Sequence, residues 1–266
     1  MMPFASIFMV RLKRDMQYRA AMLFGMFTQI GFGLIICMVR EAFYRVSDGG
    51  DVMTLAQVVT YSWIGQATLR TQPWGGDPEI MALVRSGDVA YELLRPVRLY
   101  AYWYARALAL RAAPMALIFA PQIIIAAYLM PEGLRLALPP AAGWLAFAAS
   151  MAGALLLSAS ITNIYSISLL FTVSGEVIVR LLPGIGLICT GMVVPLRFFP
   201  EWLSRIFYSL PFAGLFDLPA QLFAGSLPAS ALPGVLANQL IWTCALVAAG
   251  LLLQSAGLRR MHIQGG

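Results

Sequence analysis

The sequence predicts an all-α membrane protein with six transmembrane helices, and three observations carry that prediction. Of its 266 residues, 60% are hydrophobic and 11% charged, where a soluble domain has roughly 45–50% and 25%. The mean hydropathy is +0.78. Several separate stretches reach the roughly 18–20 apolar residues that cross a bilayer. No soluble domain of any size interrupts them, so residues 1–266 read as one transmembrane domain.

The chain opens with an interfacial helix over 1–19. Within 4–18, Phe4, Ile7, Phe8 and Leu12 share one helical face and Lys13 and Gln17 lie away from it, the spacing of a helix lying among headgroups. Arg11 intrudes on that stripe and is expected to snorkel. Apolar residues precede the first positive charges and no small-x-small cleavage site follows, the reverse of a secretory signal. The expected spans are then 20–39, 52–69, 112–130 (beginning near Tyr102), 141–170, 177–194 and 235–256. Spans one to five with their loops occupy 20–196, including a cytoplasmic loop at 73–100. Pro114 and Pro121 in span three and Pro183 in span five free backbone groups and bend those helices. Ala149, Gly153 and neighbouring serines mark span four as closely packed. Cys37, Cys189 and Cys244 all sit in apolar segments and read as packing residues.

Residues 197–234 are apolar but broken. Pro200, Pro211 and Pro219 interrupt the run, and Glu201, Arg205 and Asp217 would each cost about 2.5–3.5 kcal/mol at mid-bilayer. Short helices re-entering the outer leaflet fit that composition better than a span. With six spans and the N-terminus inside, thirteen basic residues face the cytoplasm against five outside (Arg40, Arg45, Arg135, Arg197, Arg205). The positive-inside rule therefore places both termini in the cytoplasm of a cell-membrane protein. The net charge of +6 is explained the same way, by loops and anionic lipid rather than nucleic acid.

One passage stands apart: "DPEIMALVRSGDVAYELLRP", 77–96. Asp77 before Pro78 is a strong helix start, and Glu79 in the first turn suits the helix dipole. Gly87 ends that helix as a left-handed cap. Asp88 is expected to cap a second helix, "VAYELLR", which Pro96 stops. Passive connections are shorter than this, so the capped pair with an open apolar side (Ile80, Leu83, Val84) reads as a docking surface.

With these parts in order, the chain resembles the permease subunit of type-2 ATP-binding-cassette (ABC) transporters, mostly exporters. The passages that carry the resemblance are "SGDVAYELLRPVRLYAYWYARAL" at 86–108 and "PLRFFPEWLSRIFYSLPFAG" at 195–214. The resemblance implies a pair of permeases, identical or homologous, driven by two ATPase subunits. Residues 78–86 would be the coupling helix seated on the ATPase, with Asp77, Glu79, Ile80, Leu83, Val84, Arg85 and Asp88 as the coupling residues. ATP and Mg would be bound by that partner and no cofactor by this chain.

The residues agree that the energy source lies elsewhere. A P-loop needs a lysine after its glycines, and Lys13 is the only lysine. His262 is the single histidine, so neither a zinc-protease motif nor a histidine triad can be built. Span two is unusually polar: Thr54, Gln57, Thr60, Tyr61, Ser62, Gln66 and Thr68. Gln57, Tyr61 and Gln66, with Gln29 in span one, either line the transport path or bond helices together; the sequence leaves both open. Glu176 and Arg180, four apart, form either a local ion pair or a cytoplasmic gate. An ion-gradient transporter is disfavoured because span centres lack Asp and Glu, while a membrane scaffold recruiting a partner through 77–96 stays as an alternative. Mild polarity suits an amphipathic or hydrophobic substrate.

Overall fold

The structure, a computed structural model, describes residues 2–17, 19–46, 52–93, 97–171 and 176–260. All regular structure among them is helical: α1 (Met2–Gln17), α2 (Arg19–Val46), α3 (Leu55–Thr68), α4 (Pro78–Ser86), α5 (Val89–Leu93), α6 (Leu99–Ile124), α7 (Ala141–Ser168), α8 (Glu176–Cys189), α9 (Glu201–Ser209), α10 (Asp217–Ala224) and α11 (Leu232–Arg260). Four segments are long and apolar enough to cross a bilayer: Met22–Val46, Leu99–Leu129, Ala141–Ser168 and Ala229–Arg259. They coincide with expected spans one, three, four and six.

Expected spans two and five take a different form. Helices α3 and α8 have 14 residues each, about 21 Å at 1.5 Å per residue against a hydrocarbon core of about 30 Å. Helix α3 is short because structure folds over it. The connection after α6 turns back so that Trp63 Nε1 donates to the Leu134 carbonyl (2.8 Å) and the Ala137 N–H donates to Thr60 Oγ1 (2.9 Å). Ten of its fourteen residues are buried, among them Val58, Val59, Tyr61, Trp63 and Ile64. Irregular backbone at such a place is tolerated because protein covers it.

Most of α3's polarity is spent locally. Thr54 and Gln57 form a capping box, each side chain bonding the other's backbone N–H. Thr68 Oγ1 donates to the Ile64 carbonyl, and Ser62 Oγ to the Val58 carbonyl. Much of this polar stretch is thus met within α3 itself, by a cap and by side-chain bonds to its own backbone.

Helix α6 continues through Pro114 and Pro121, then winds as a π-helix over Ile125–Leu129; the N–H missing from each proline removes one rung of the α ladder. Helix α7 forms the centre of the bundle, the most buried of the four long helices, with α6 and α11 packed against it. Side-chain absence lets α7 and α11 meet closely: a Cβ at Gly153 would fall 2.2 Å from Gln239 Oε1. Gln239 Nε2 uses that space to bond the carbonyls of Ser150 and Gly214, both at 2.8 Å. Of the cysteines, Cys37 and Cys189 are buried as packing residues, whereas Cys244 is exposed on α11, a departure from expectation.

Helix α1 lies along the start of α6, with Ile7 packed on a cluster containing Ile80, Tyr100, Tyr102 and Trp103. Lys13 and Gln17 are exposed as the spacing predicts. Arg11 does not snorkel. It is 8% exposed and turns inward, because two carboxylates wait there.

Candidate functional site

Helix α4 begins as its sequence dictates. Asp77 is the N-cap: its Oδ1 accepts from the Glu79 N–H (2.9 Å), and Pro78 occupies the first turn. Gly87 closes the helix at φ 81, where a side chain would be strained. The start of α4 is then clamped. Asp77 is fully buried, and its backbone N–H donates to Ser166 Oγ on α7 (3.0 Å). Arg106 of α6 reaches both acids, Nε to Asp77 Oδ2 at 3.1 Å and Nη2 to Glu79 Oε2 at 2.7 Å. From α1, Arg11 Nη1 bonds Glu79 Oε2 (2.7 Å) and its other nitrogen lies 3.7 Å from Asp77, while Arg14 pairs with Glu79 Oε1. Burial alone would raise the Glu79 carboxyl, but the Arg14 hydrogen bond and the charges of Arg11 and Arg106 outweigh it and bring it down to about 2.

The connection that delivers the chain to Asp77 is stitched as firmly. Trp74 Nε1 donates to the Leu69 carbonyl (2.7 Å), and Ser158 Oγ of α7 to the Thr71 carbonyl (2.6 Å). Arg111 Nη2 donates to the Gly75 carbonyl (2.8 Å).

The faces of α4 differ from the sequence expectation. Ile80 is 1% exposed and packs with Val89, Leu99, Trp103 and Ile167; Val84 is half-buried against the same cluster and Leu83 half-buried. The apolar side is therefore turned into the protein's own core, leaving Ala82, Arg85, Ser86, Gly87 and Asp88 exposed. Nor does the Asp88 carboxylate cap α5: it accepts from Ser86 Oγ (2.7 Å), and α5 starts on the Asp88 backbone carbonyl. Helix α5 is five residues long, and Pro96 lies outside the described residues.

At the opposite end a second acid gathers the elements expected to re-enter the outer leaflet. Asp217, at the start of α10, is fully buried. Its Oδ1 accepts from Tyr61 Oη of α3 (2.7 Å) and the Leu196 N–H (3.1 Å); its Oδ2 accepts from Tyr208 Oη of α9 (2.9 Å) and from Gln221 Nε2. Burial pushes the Asp217 carboxyl up, opposed by these donors. Tyr61 Oη is also 2.8 Å from the Gly191 carbonyl. Gly191 must be glycine twice over: its φ is +80, and a Cβ there would fall 2.8 Å from both Asp217 Oδ1 and Tyr61 Oη. Arg40 of α2 sits 6.0 Å over the Tyr61 ring and donates to Ser62 Oγ (2.6 Å) and the Val193 carbonyl (3.2 Å).

Of the four path candidates, Gln29 and Gln66 come together on one groove between α2 and α3, beside Arg70 and Trp74. Gln57 caps α3, and Tyr61 belongs to the Asp217 cluster. Helix α8 starts at Glu176, but the side chains of Glu176 and Arg180 lie outside the described residues. The sequence reading missed Arg106, Arg111, Arg40 and Asp217 as organising residues. It counted the arginines only as topology markers, although ionisable groups within or beside spans are themselves a signal of function.

A helical chain with several membrane-length apolar helices is a multi-pass membrane protein, and its ionic bonding is concentrated on a short capped helix at one end of the bundle. Its family follows from comparison: the chain belongs to the ABC-2 family of transporter proteins, whose family model matches residues 52–265. It is the permease component of an ABC transporter, a class that works with ABC ATPase subunits. No curated protein matches the chain.

Proposed function

We propose that this permease belongs to an ATP-driven exporter and takes up force through α4. The supporting observation is the clamp at Asp77 and Glu79, which ties the start of α4 to α1, α6 and α7 by charge-assisted bonds. Such bonds are roughly twice as strong as neutral ones. A displacement imposed on the exposed face of α4 is thereby carried to three helices, and through the stitched 69–77 connection to α3. The two-position element that switching requires is this assembly, with Asp77, Glu79, Ile80, Leu83 and Val84 holding α4 to the permease and Arg85 and Asp88 facing the ATPase.

In this reading both termini are cytoplasmic, and α3 and α8 count as the second and fifth of six membrane passages, completed by the non-helical segments around them. Helices α9 and α10 re-enter the outer leaflet and cover the path. Two permeases, identical or homologous, enclose the substrate, with Gln29 and Gln66 on its route and Glu176 and Arg180 at the cytoplasmic entrance. ATP and Mg are bound by the ATPase partner, and this chain catalyses nothing.

The test is co-purification with the ATPase encoded beside it. Ala82→Asp with Arg85→Glu, on the exposed face, is expected to abolish co-purification while the permease still extracts as a folded protein. Retention of the ATPase by that double variant would refute α4 as the contact. Failure of any ATPase to co-purify with the unaltered chain would refute the exporter reading itself.

A further inference from the structure

Two cavities at the α4 end of the bundle share Arg70 and Trp74 as walls. One, of about 430 Å³, lies between α2, the 74–78 turn and α6, and includes Arg111. The other, of about 590 Å³, rises between α2 and α3 past Gln29 and Gln66 to Phe32 and Ile36. Among the described residues no carboxylate lines either.

The polar groups facing this space are left with unmet valence. Arg70 makes no hydrogen bond or ion pair among the described residues. Arg111, only 7% exposed, donates to Thr162 Oγ1 (3.1 Å) and the Gly75 carbonyl, with no carboxylate at ion-pair distance among the described residues. Asp77, whose charge acts on it through space, is engaged by Arg106 and Arg11. Gln29 is 9% exposed, and its Oε1 has no partner. Two guanidiniums without a carboxylate at ion-pair distance beside an apolar wall are costly in a membrane unless something anionic meets them, and the bare Gln29 Oε1 calls for a donor such as a headgroup hydroxyl.

Depth identifies what that is. Arg111 precedes Leu129, the outer end of its helix, by 18 residues, about 27 Å at 1.5 Å per residue. Arg70 walls the same cavity as Arg111, and its Nη1 lies 3.0 Å from where a Cβ on Gly25 of α2 would stand. The Arg111 distance matches the roughly 30 Å of hydrocarbon, so the two guanidiniums face one space at headgroup level. Phe32 and Ile36 stand about 10 and 16 Å further along α2 toward its outer end, where an acyl chain would lie. Trp74, 40% exposed, has the amphipathic ring that favours this level.

We infer that this groove binds an amphiphile with an anionic headgroup, phosphate or carboxylate, held by Arg70 and Arg111 with its tail along Phe32 and Ile36. Binding needs only this chain; that the amphiphile is cargo rests on the exporter reading above.

The experiment is native mass spectrometry of the detergent-purified chain with equimolar phosphatidylglycerol and phosphatidylcholine. Phosphatidylglycerol should be retained with about tenfold preference, the size expected of one charge-assisted bond to the headgroup. Arg70→Gln, an exposed change that spares the fold, should reduce that preference at least threefold, and adding Arg111→Gln should remove it. Arg205→Gln, on α9 at the other end, should leave it intact. No preference in the unaltered chain, or equal loss with Arg205→Gln, would overturn the inference. The source is then separated by adding the ATPase and ATP: faster exchange of bound labelled phosphatidylglycerol identifies cargo, and unchanged exchange a resident inner-leaflet lipid, each consistent with the site. If no ATPase assembles while the preference persists, the exporter reading fails and the site stands.

Discussion

Replacing Arg106 with alanine tests the clamp most directly. Arg106 supplies two bonds to Asp77, at 3.1 and 3.4 Å, and one to Glu79 at 2.7 Å. Asp77 is wholly buried and Arg106 nearly so, and removing one partner of a buried pair costs about 3–5 kcal/mol because the other charge is stranded. Arg11 remains 3.7 Å from Asp77 and offsets part of this, so the expected loss for Arg106→Ala lies at the low end, about 3 kcal/mol. Asp77→Asn keeps the capping oxygen and relieves the stranded charge. The double variant should therefore be less destabilised than the two single changes added together, by about 1–3 kcal/mol. The assay is reversible unfolding by SDS titration in micelles, followed by tryptophan fluorescence, with buried Trp103 one turn away as reporter. A loss under about 1 kcal/mol for Arg106→Ala, or strict additivity in the double variant, would show that the clamp transmits nothing.

Two further outcomes follow from the same geometry. Glu79 is held near 2 against an ordinary value of 4.5, so its ion pairs stabilise the fold fully above about pH 4.5 and are lost as pH falls toward 2. Subtracting the acid-unfolding curve of Glu79→Gln from that of the unaltered chain should leave a slope confined to that window; a flat difference would contradict the pairing. Gly191→Ala should cost well over the ~1 kcal/mol expected of Gly87→Ala, although both glycines have positive φ. At Gly87 nothing lies within 4 Å of an added Cβ, whereas at Gly191 it meets Asp217 and Tyr61. Equal losses in thermal melts would mean that the outer cluster yields freely.

What could be read from the sequence was what neighbouring residues decide among themselves. Asp77-Pro78 and Gly87 set the two ends of α4 by local capping chemistry, and four long apolar runs became four long helices. The direction in which α4 faces was not legible, since Ile80 is apolar whether it meets a partner or its own Trp103. The Asp217 cluster was equally hidden: its bond to Tyr61 joins residues 156 apart in the chain, and no local pattern announces such a pairing. Polarity was ambiguous in α3, where Gln57 reads identically as a lined path or as one half of a capping box. Only the backbone geometry at Thr54 separates the two.

The six residues between the 3-10 turn at Leu69–Thr71 and the start of α4 have a mechanical consequence. Bonds from Trp74, Ser158 and Arg111, and from the Asp77 N–H to Ser166, take up the play in this connection. Arg70 and Trp74, which wall the groove, and Asp77, which anchors α4, thus ride on one stiff rod. In the proposed mechanism a stroke delivered at α4 would reach the groove with no backlash, so the groove would change its shape as α4 changes its angle. On that proposal, grip on an amphiphile and engagement of the motor would be two readings of a single coordinate.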